Sequence, residues 1–320
     1  MTVKSSALLQ TRCAVFGAGG FIGANLCLAL QERVGRLVGF GRRAPPDALQ
    51  NVEWVQGDFA DPDAYDAALA GANAVIHLVG ASTPASANTD MIADVMNNVV
   101  ATLHFLDACR RHGVQRVIFV SSGGTIYGVP DVIPTPETYT PEPITAYGVS
   151  KLAIERYLSL YRHLHGLEYR ALRVANPYGP FQSAAKGQGV VAAFMDKALA
   201  GQPIEVWGDG SVVRDYVYVA DVVEAIIAAM SHDGPSRVFN IGGGRGHSLN
   251  ELIGAISEAV GRPIQRTEKA ARIIDAPRSV LDISRAQAEL GWTPRTELSD
   301  GLARALAWRL GELAKVTAPV

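Results

Sequence analysis

The sequence predicts an α/β fold, a doubly wound parallel sheet followed by a smaller α/β lobe. Three features of its 320 residues predict it. Short apolar runs alternate with amphipathic stretches of helical length, the pattern of strand–helix–strand units whose strands lie parallel in one buried sheet. A glycine cluster breaks the chain between the first run and the first helical stretch. Beyond Asn176 the segments shorten, and Pro- and Gly-rich turns separate them.

Arg12 to Phe16 is the first strand, a short apolar run ending at glycines. Phe21 to Leu30 is an apolar helix and Arg36 to Phe40 the second strand, which completes one strand–helix–strand unit. Val52 to Gln56 follows as a strand, Asp63 to Ala70 as a helix and Ala74 to Val79 as a buried strand. Met91 to His112 has the length of a long helix, and Arg116 to Val120 reads as another buried strand. The Pro-rich stretch Val129 to Pro143 is a loop. It leads into a helix over Tyr147 to Leu164 and a strand over Tyr169 to Val174. In the second part, Gly187 to Leu199 begins as loop and becomes helix. Ile204 to Trp207 and Val238 to Ile241 are strand-like, and Asp221 to Met230, Leu249 to Val260 and Ser284 to Leu290 are helical. The expected division is a first domain over 1–175, rejoined by about 213–242, and a second lobe formed mainly by 176–320. No repeat or low-complexity tract interrupts this order.

An apolar fraction of 48% with 19% charged residues describes a folded globular chain. A net charge of −2 gives no electrostatic reason to expect nucleic acid or an anionic membrane as partner. No apolar run approaches the roughly 18 residues of a membrane span. Met1 to Gln10 lacks the charged, apolar and cleavage-site pattern of a signal peptide. Cys13, Cys27 and Cys109 are widely spaced and odd in number, so they are expected as reduced core residues of a cytoplasmic protein, with neither a disulfide frame nor a metal site.

Gly17, Gly20 and Gly23 fall between the first strand and the first helix. Glycines there permit a tight turn and close approach of a pyrophosphate to the helix N-terminus, where free N–H groups and the helix dipole favour anions. The second strand ends Phe40-Gly41-Arg42-Arg43, with no carboxylate for an adenosine ribose. Arg42 and Arg43 suit a 2′-phosphate instead, which favours NADP over NAD. Asp58 and Phe59, after the third strand, are placed to flank the adenine. Tyr147 and Lys151 lie one turn apart on one helix face. An ammonium beside a phenol favours the phenolate, so the pair is expected to act as a general base with a lowered tyrosine pKa.

These features stand within five ordered motifs. They are Gly17-Ala-Gly-Gly20-Phe-Ile-Gly23, Ser121-Ser-Gly-Gly-Thr-Ile-Tyr-Gly128, Tyr147-Gly-Val-Ser-Lys151, Arg173-Val-Ala-Asn-Pro-Tyr-Gly-Pro180 and Gly208-Asp-Gly-Ser-Val-Val-Arg-Asp-Tyr216. Together they resemble the extended short-chain dehydrogenases/reductases of the nucleotide-sugar epimerase/dehydratase family, which carry a Rossmann domain. The resemblance implies catalytic roles for Tyr147 and Lys151, and nicotinamide-ribose binding by the lysine. The family's third catalytic hydroxyl falls at Gly123, so that role passes to Ser122 or Thr125. It further implies cofactor contacts from Gly17, Gly20, Phe21, Ile22, Gly23, Gly80, Ala81 and Asn98. Asn176, Arg214, Arg272 and Asp275 would hold the substrate's diphosphate and nucleoside, with Trp207 beside the base. Ser279, four residues after Asp275, would set the room for the sugar.

The reaction so implied is nucleotide-sugar 4-epimerisation through a transient 4-keto sugar, with a tightly bound NADP or NAD. A UDP-hexose, a UDP-N-acetylhexosamine and a TDP-deoxyhexose are the candidate substrates. Dehydration is disfavoured, because the positions of its acid–base pair are Gly124 and Thr125, which carry no carboxylate. The cysteine–lysine chemistry of a 3,5-epimerase has no cysteine in any site motif. An NADPH-dependent 4-ketoreductase is the alternative, and a non-catalytic nucleotide sensor is a reading of a different class. By resemblance the helices Met91–His112 and Tyr147–Leu164 would pair across a homodimer.

Overall fold

The structure, a computed structural model, describes residues 8–183, 189–270 and 276–317. Seven strands form the main sheet. They are β1 (Arg12–Phe16), β2 (Arg36–Gly41), β3 (Glu53–Gln56), β4 (Ala74–His77), β5 (Arg116–Ser122), β6 (Glu168–Val174) and, later in the chain, β10 (Val238–Ile241). Between β6 and β10 run β7 (Asn176–Tyr178), β8 (Ile204–Trp207) and β9 (Val213–Tyr218). After β10 come β11 (Gly246–Ser248), β12 (Arg266–Lys269) and β13 (Arg278–Ser279). The main sheet has the order β10-β6-β5-β4-β1-β2-β3, and every neighbouring pair is parallel. Parallel neighbours need crossovers, and the crossover helices bury both faces. Strand order reverses between β1 and β4, which opens a crevice at the carboxyl ends of those strands.

Each face has its own core. Val15, Leu26, Leu172, Ile226 and Ile241 belong to one. The other is aromatic: Phe16 packs against Phe40 and Phe105 with ring centroids 4.6 and 4.7 Å away, and Phe59 and Tyr65 complete the cluster. Cys13, Cys27 and Cys109 are free and buried in these cores, and burial pushes all three thiols up. A smaller sheet centres on β9, flanked by parallel β7 and β13 and antiparallel β11. β8 and β12 form a separate parallel pair. The helix Val219–Met230 and strand β10 return to the main sheet, whereas β9 stays with the smaller one.

Several elements differ from the sequence expectation. The helix over Met91 to His112 is Met91–Asp94, a π segment Val95–Val100, and Ala101–Arg111 in one continuous run. An apolar period cannot disclose a single widened turn. Asp63–Ala70 breaks into a 3₁₀ turn, Pro62–Ala64, and a short helix, Asp66–Leu69, because Asp61 caps the Asp63 N–H at 3.1 Å and tightens the start. Helices Pro84–Thr89 and Leu298–Thr317 and strand β9 were not expected, the last because Arg214 and Asp215 interrupt its apolar pattern. The Val129–Pro143 loop is anchored: Thr135 N donates to Val280 O at 2.9 Å, and Thr135 O accepts from Asp282 N at 3.0 Å. Among the described residues no helix is long and apolar enough to cross a membrane.

Candidate active site

The glycine turn forms one wall of the crevice. Gly17 (φ 89°) lies against Leu78 after β4, and a Cβ there would sit 3.2 Å from the Leu78 carbonyl carbon. At Gly23 a Cβ would come 2.2 Å from Gly17 O, so only glycine lets the helix pack on the turn. Gly20 caps the helix Phe21–Leu30 without a side-chain hydrogen bond, which leaves the first-turn N–H groups at Phe21 and Ile22 to an anion. The opposite wall is the loop after β4. Gly80 is exposed, with no atom within 4 Å of where a Cβ would stand. Ala81 N donates to Asn98 Oδ1 at 3.0 Å. Asn98 lies within the π segment, and such bulges concentrate at functional sites.

Arg42 and Arg43 are exposed, but the backbone that carries them is fixed from β3. Gln56 Nε2 donates to Arg42 O at 3.1 Å and Trp54 Nε1 to Arg43 O at 3.0 Å. The Trp54 ring crosses β2 where glycines leave room, since a Cβ on Gly39 would lie 2.6 Å from it. Asp58 is exposed, and its carboxylate accepts from Ala60 N at 3.0 Å. Phe59 corrects the expectation. Its ring is buried between Phe16, Tyr65, His77 and Phe105 and is not available to flank a base.

Tyr147 and Lys151 sit in the first turns of the helix Ala146–His165, which Thr145 caps by accepting from Gly148 N at 3.2 Å. Lys151 Nζ donates to Val120 O at 3.1 Å and lies 5.6 Å from the Tyr147 ring centroid and 4.7 Å from that of Phe119. Burial pulls the Lys151 pKa down to about 8, against the nearby carboxylates of Asp94 and Glu155. The tyrosine departs from the sequence expectation. Burial, and then the Asp94 charge, push its pKa up to about 12, so the lysine alone does not produce a phenolate. A spacing argument sees the ammonium but neither the burial nor the carboxylate.

At the end of β5, Thr125 Oγ1 donates to Ser122 Oγ at 2.8 Å. Gly123 has no room for a side chain: a Cβ would meet Leu281 Cδ1 at 2.4 Å and Arg173 O at 2.9 Å. The turn is pressed to the Tyr147 helix, since a Cβ on Gly148 would lie 2.7 Å from Thr125 O.

The smaller sheet gathers three of the expected substrate residues. Asn176 pairs with Tyr216 across β7 and β9, and Ser279 with Arg214 across β13 and β9. Asn176 Nδ2 donates to Asp215 O at 3.0 Å, and Arg214 Nη1 donates to Ala276 O at 2.7 Å. Ser279 is buried, and His247 on β11 stands opposite Arg214 on the other side. Trp207 ends β8, in the separate two-stranded sheet, and is partly exposed. Arg272 and Asp275 lie outside the described residues. Tyr216 is a residue the sequence reading passed over. It shares a face of β9 with Arg214, and its buried hydroxyl has no hydrogen-bond partner among the described residues. Its place two residues after Arg214 was the available signal.

Comparison with known proteins bears on this geometry. The NAD dependent epimerase/dehydratase family matches residues 13–242. A UDP-glucose 4-epimerase of Mycolicibacterium smegmatis is 37% identical over 304 residues, covering 92% of this chain and 96% of the relative. The crystal structure of UDP-glucose 4-epimerase from Thermotoga maritima with UDP-glucose superposes with a TM-score of 0.90 at 35% identity, covering 95% of this chain and 100% of that one. The Thermus thermophilus UDP-glucose 4-epimerase in complex with NAD superposes with a TM-score of 0.87 at 32% identity, covering 94% and 99%.

Proposed function

This chain belongs to the NAD dependent epimerase/dehydratase family, and on that premise we propose that it is a nucleotide-sugar 4-epimerase acting through a transient 4-keto sugar. One observation carries the reading. The turn holding Ser122 and Thr125 adjoins the smaller sheet: a Cβ on Gly124 would stand 3.9 Å from Asn176 Nδ2. A sugar held by Asn176 and Arg214 therefore reaches the groups around Tyr147.

The glycine turn, the uncapped helix start and the open Gly80 loop fit a dinucleotide's pyrophosphate and nicotinamide end. A nicotinamide held there would supply the acceptor and donor of the C4 hydride. With the positive nicotinamide ring adding to the Lys151 charge, Tyr147 as phenolate would take the proton of the 4-hydroxyl through Oη and return it to the same oxygen once the hydride is back on C4. Lys151, cationic below about pH 8, favours the phenolate form of Tyr147 that accepts the proton. Ser122 Oγ, which accepts from Thr125 Oγ1, donates to the 4-oxygen of the sugar. Arg214 supplies positive charge for the diphosphate, and Tyr216 adds a hydroxyl beside it.

Three residues guide the finer choices. Buried Ser279 beside Arg214 leaves the sugar open among a UDP-hexose, a UDP-N-acetylhexosamine and a TDP-deoxyhexose. The held backbone and exposed guanidinium groups of Arg42 and Arg43 favour NADP, although the Thermus relative is in complex with NAD. In this reading 1–175, with the returning stretch 213–242, carries the coenzyme, and 176–320 mainly carries the nucleotide sugar. Two neighbouring helices expose an apolar surface, Met91, Ile92, Val95 and Met96 on one and Val149, Leu160 and Leu164 on the other, which supports a homodimer. Three free buried thiols accord with a reducing cytoplasm.

A second reading, net reduction of a 4-keto sugar, is favoured by Arg42 and Arg43, since NADP serves net reduction. Mixing the purified protein with UDP-glucose, UDP-N-acetylglucosamine and TDP-rhamnose, without added coenzyme, separates the two. Formation of the C4 epimer supports the epimerase. No epimer from these sugars, with turnover of a 4-keto sugar once it and NADPH are added, refutes it in favour of the reductase. Mass measurement of the dinucleotide released on denaturation identifies the coenzyme.

A further inference from the structure

Asp94 is a buried carboxylate on the helix Met91–Asp94. Three donors from three parts of the site converge on it. Ser82 Oγ donates to Oδ1 from the loop after β4. Asn98 Nδ2 donates to the same oxygen at 2.9 Å from the π segment. Ser150 Oγ donates to Oδ2 at 2.5 Å from the helix of Tyr147 and Lys151. Asn98 is held from its far side as well. Its carbonyl accepts from Thr102 Oγ1 at 2.6 Å, and Thr102 Oγ1 lies 3.0 Å from His77 Nε2. His77 Nδ1 accepts from Val79 N at 3.3 Å, so Nε2 carries the proton and donates to Thr102.

We propose that Asp94 is a positioning residue, the latch that fixes the loop Gly80–Ser82 and the π segment to the helix bearing Tyr147 and Lys151. Four connections make the geometry specific. The carboxylate grips Ser82 and Asn98, Asn98 Oδ1 grips Ala81 N, and Ser150 immediately precedes Lys151. Releasing the carboxylate frees the loop Gly80–Ser82 from the helix of Tyr147 and Lys151 without touching Asn176, Arg214 or Ser279.

The latch also has an electrostatic consequence. The groups facing Lys151 are Tyr147 and Glu155 on its own helix, Asp94 on the bulged helix and His77 on β4. Burial holds His77 neutral, and Glu155 is paired with Arg173 at 2.7 Å. Asp94 is thus the carboxylate facing Lys151 from another helix, and it favours the ammonium.

The proposal rests on the epimerase reading only for its activity arm. Asp94→Asn, Ser150→Ala and Ser82→Ala are compared with the parent by steady-state kinetics across pH and by amide hydrogen exchange. Displacing reacting groups by an ångström costs about 100-fold in rate, so Asp94→Asn should lower kcat by about that much, with KM for the nucleotide sugar within about threefold. Its alkaline limb should move down by about one pH unit, because Lys151 loses an opposing charge. Ser150→Ala and Ser82→Ala should lower kcat and leave the limb near pH 8. Exchange should quicken in the loop Gly80–Ser82 and the first turn of the Ala146–His165 helix, and stay unchanged in the helix Leu249–Val260. An unmoved limb in Asp94→Asn, or unchanged exchange in the loop, overturns the latch. A parent without epimerase activity refutes the function instead and leaves the exchange arm decisive. Should Asp94→Asn fail to fold, exchange in the two serine variants decides.

Discussion

Replacing Glu155 with alanine should destabilise the fold by about 3–5 kcal/mol, because it leaves Arg173 charged and unpaired in the interior. The side chains of both partners are 5% exposed. Arg173 Nη2 lies 2.7 Å from Glu155 Oε2 and Nε lies 3.1 Å from Oε1, a bidentate pair, and Ser121 Oγ also donates to Oε1 at 2.6 Å. On the other side Arg173 Nη1 donates to Tyr127 Oη at 2.8 Å, which donates to Asn240 Oδ1 at 2.7 Å. The pair is closed off from solvent, so the loss exceeds the roughly 0–1 kcal/mol of a surface pair. A whole domain holds only about 5–15 kcal/mol, so the fall is readily read from urea unfolding as a lower midpoint at unchanged slope. The double variant Glu155→Leu/Arg173→Met should recover most of the loss, since apolar groups of similar volume need no partner. The reasoning is refuted if Glu155→Ala shifts stability by less than about 1 kcal/mol. It is equally refuted if the double variant is less stable than the single one.

Tyr147→Phe removes the phenol that carries the proton and should lower kcat about 10²–10⁴-fold with the fold intact, as measured by turnover and circular dichroism. Lys151, its pKa pulled down to about 8, is cationic below that value and neutral above it, so kcat should fall as pH rises through about 8. A rate still climbing above pH 9 would contradict that assignment. In Gly23→Ala the new methyl would lie 2.2 Å from Gly17 O; forcing the turn open should cost about 1–3 kcal/mol and strip the copurifying dinucleotide, seen by thermal melting and by mass. Ile92→Glu, at a side chain 80% exposed, should shift sedimentation from dimer to monomer while leaving the monomer's melting temperature unchanged.

What the sequence made legible was local. A glycine turn between strand and helix, a tyrosine and a lysine one turn apart, and a strand ending at Ser121 and Ser122 are relations within a few residues. Their geometry follows from helix pitch and strand ends. The remaining features depend on distant segments. Glu155 meets Arg173 only because β5 and β6 pair beneath the helix, and Asp94 meets Ser150 across 56 positions. Phe59 looked available beside Asp58, but four aromatic side chains from elsewhere in the chain enclose it. The Tyr147 pKa failed as an expectation for the same reason: its controlling influences are burial and a carboxylate on another helix.

Gly123 carries that dependence into the chemistry. Read along the chain, it is a missing hydroxyl. In space the position is filled, because Leu281 and the Arg173 carbonyl occupy the volume a side chain would need. Leu281 is itself fixed: its N–H donates to Asp215 Oδ2 at 3.2 Å, and its segment pairs with Thr135 of the anchored loop. A serine placed at 123 alone would therefore have to displace a held leucine before it offered any hydroxyl. The hydroxyl capacity of the turn lies in the bonded pair Ser122 and Thr125, one position to either side of the Gly123–Gly124 step. The packed position Gly123 adjoins Gly124, where a Cβ would stand 3.9 Å from Asn176 Nδ2, so the departure from the family pattern lies within the site itself.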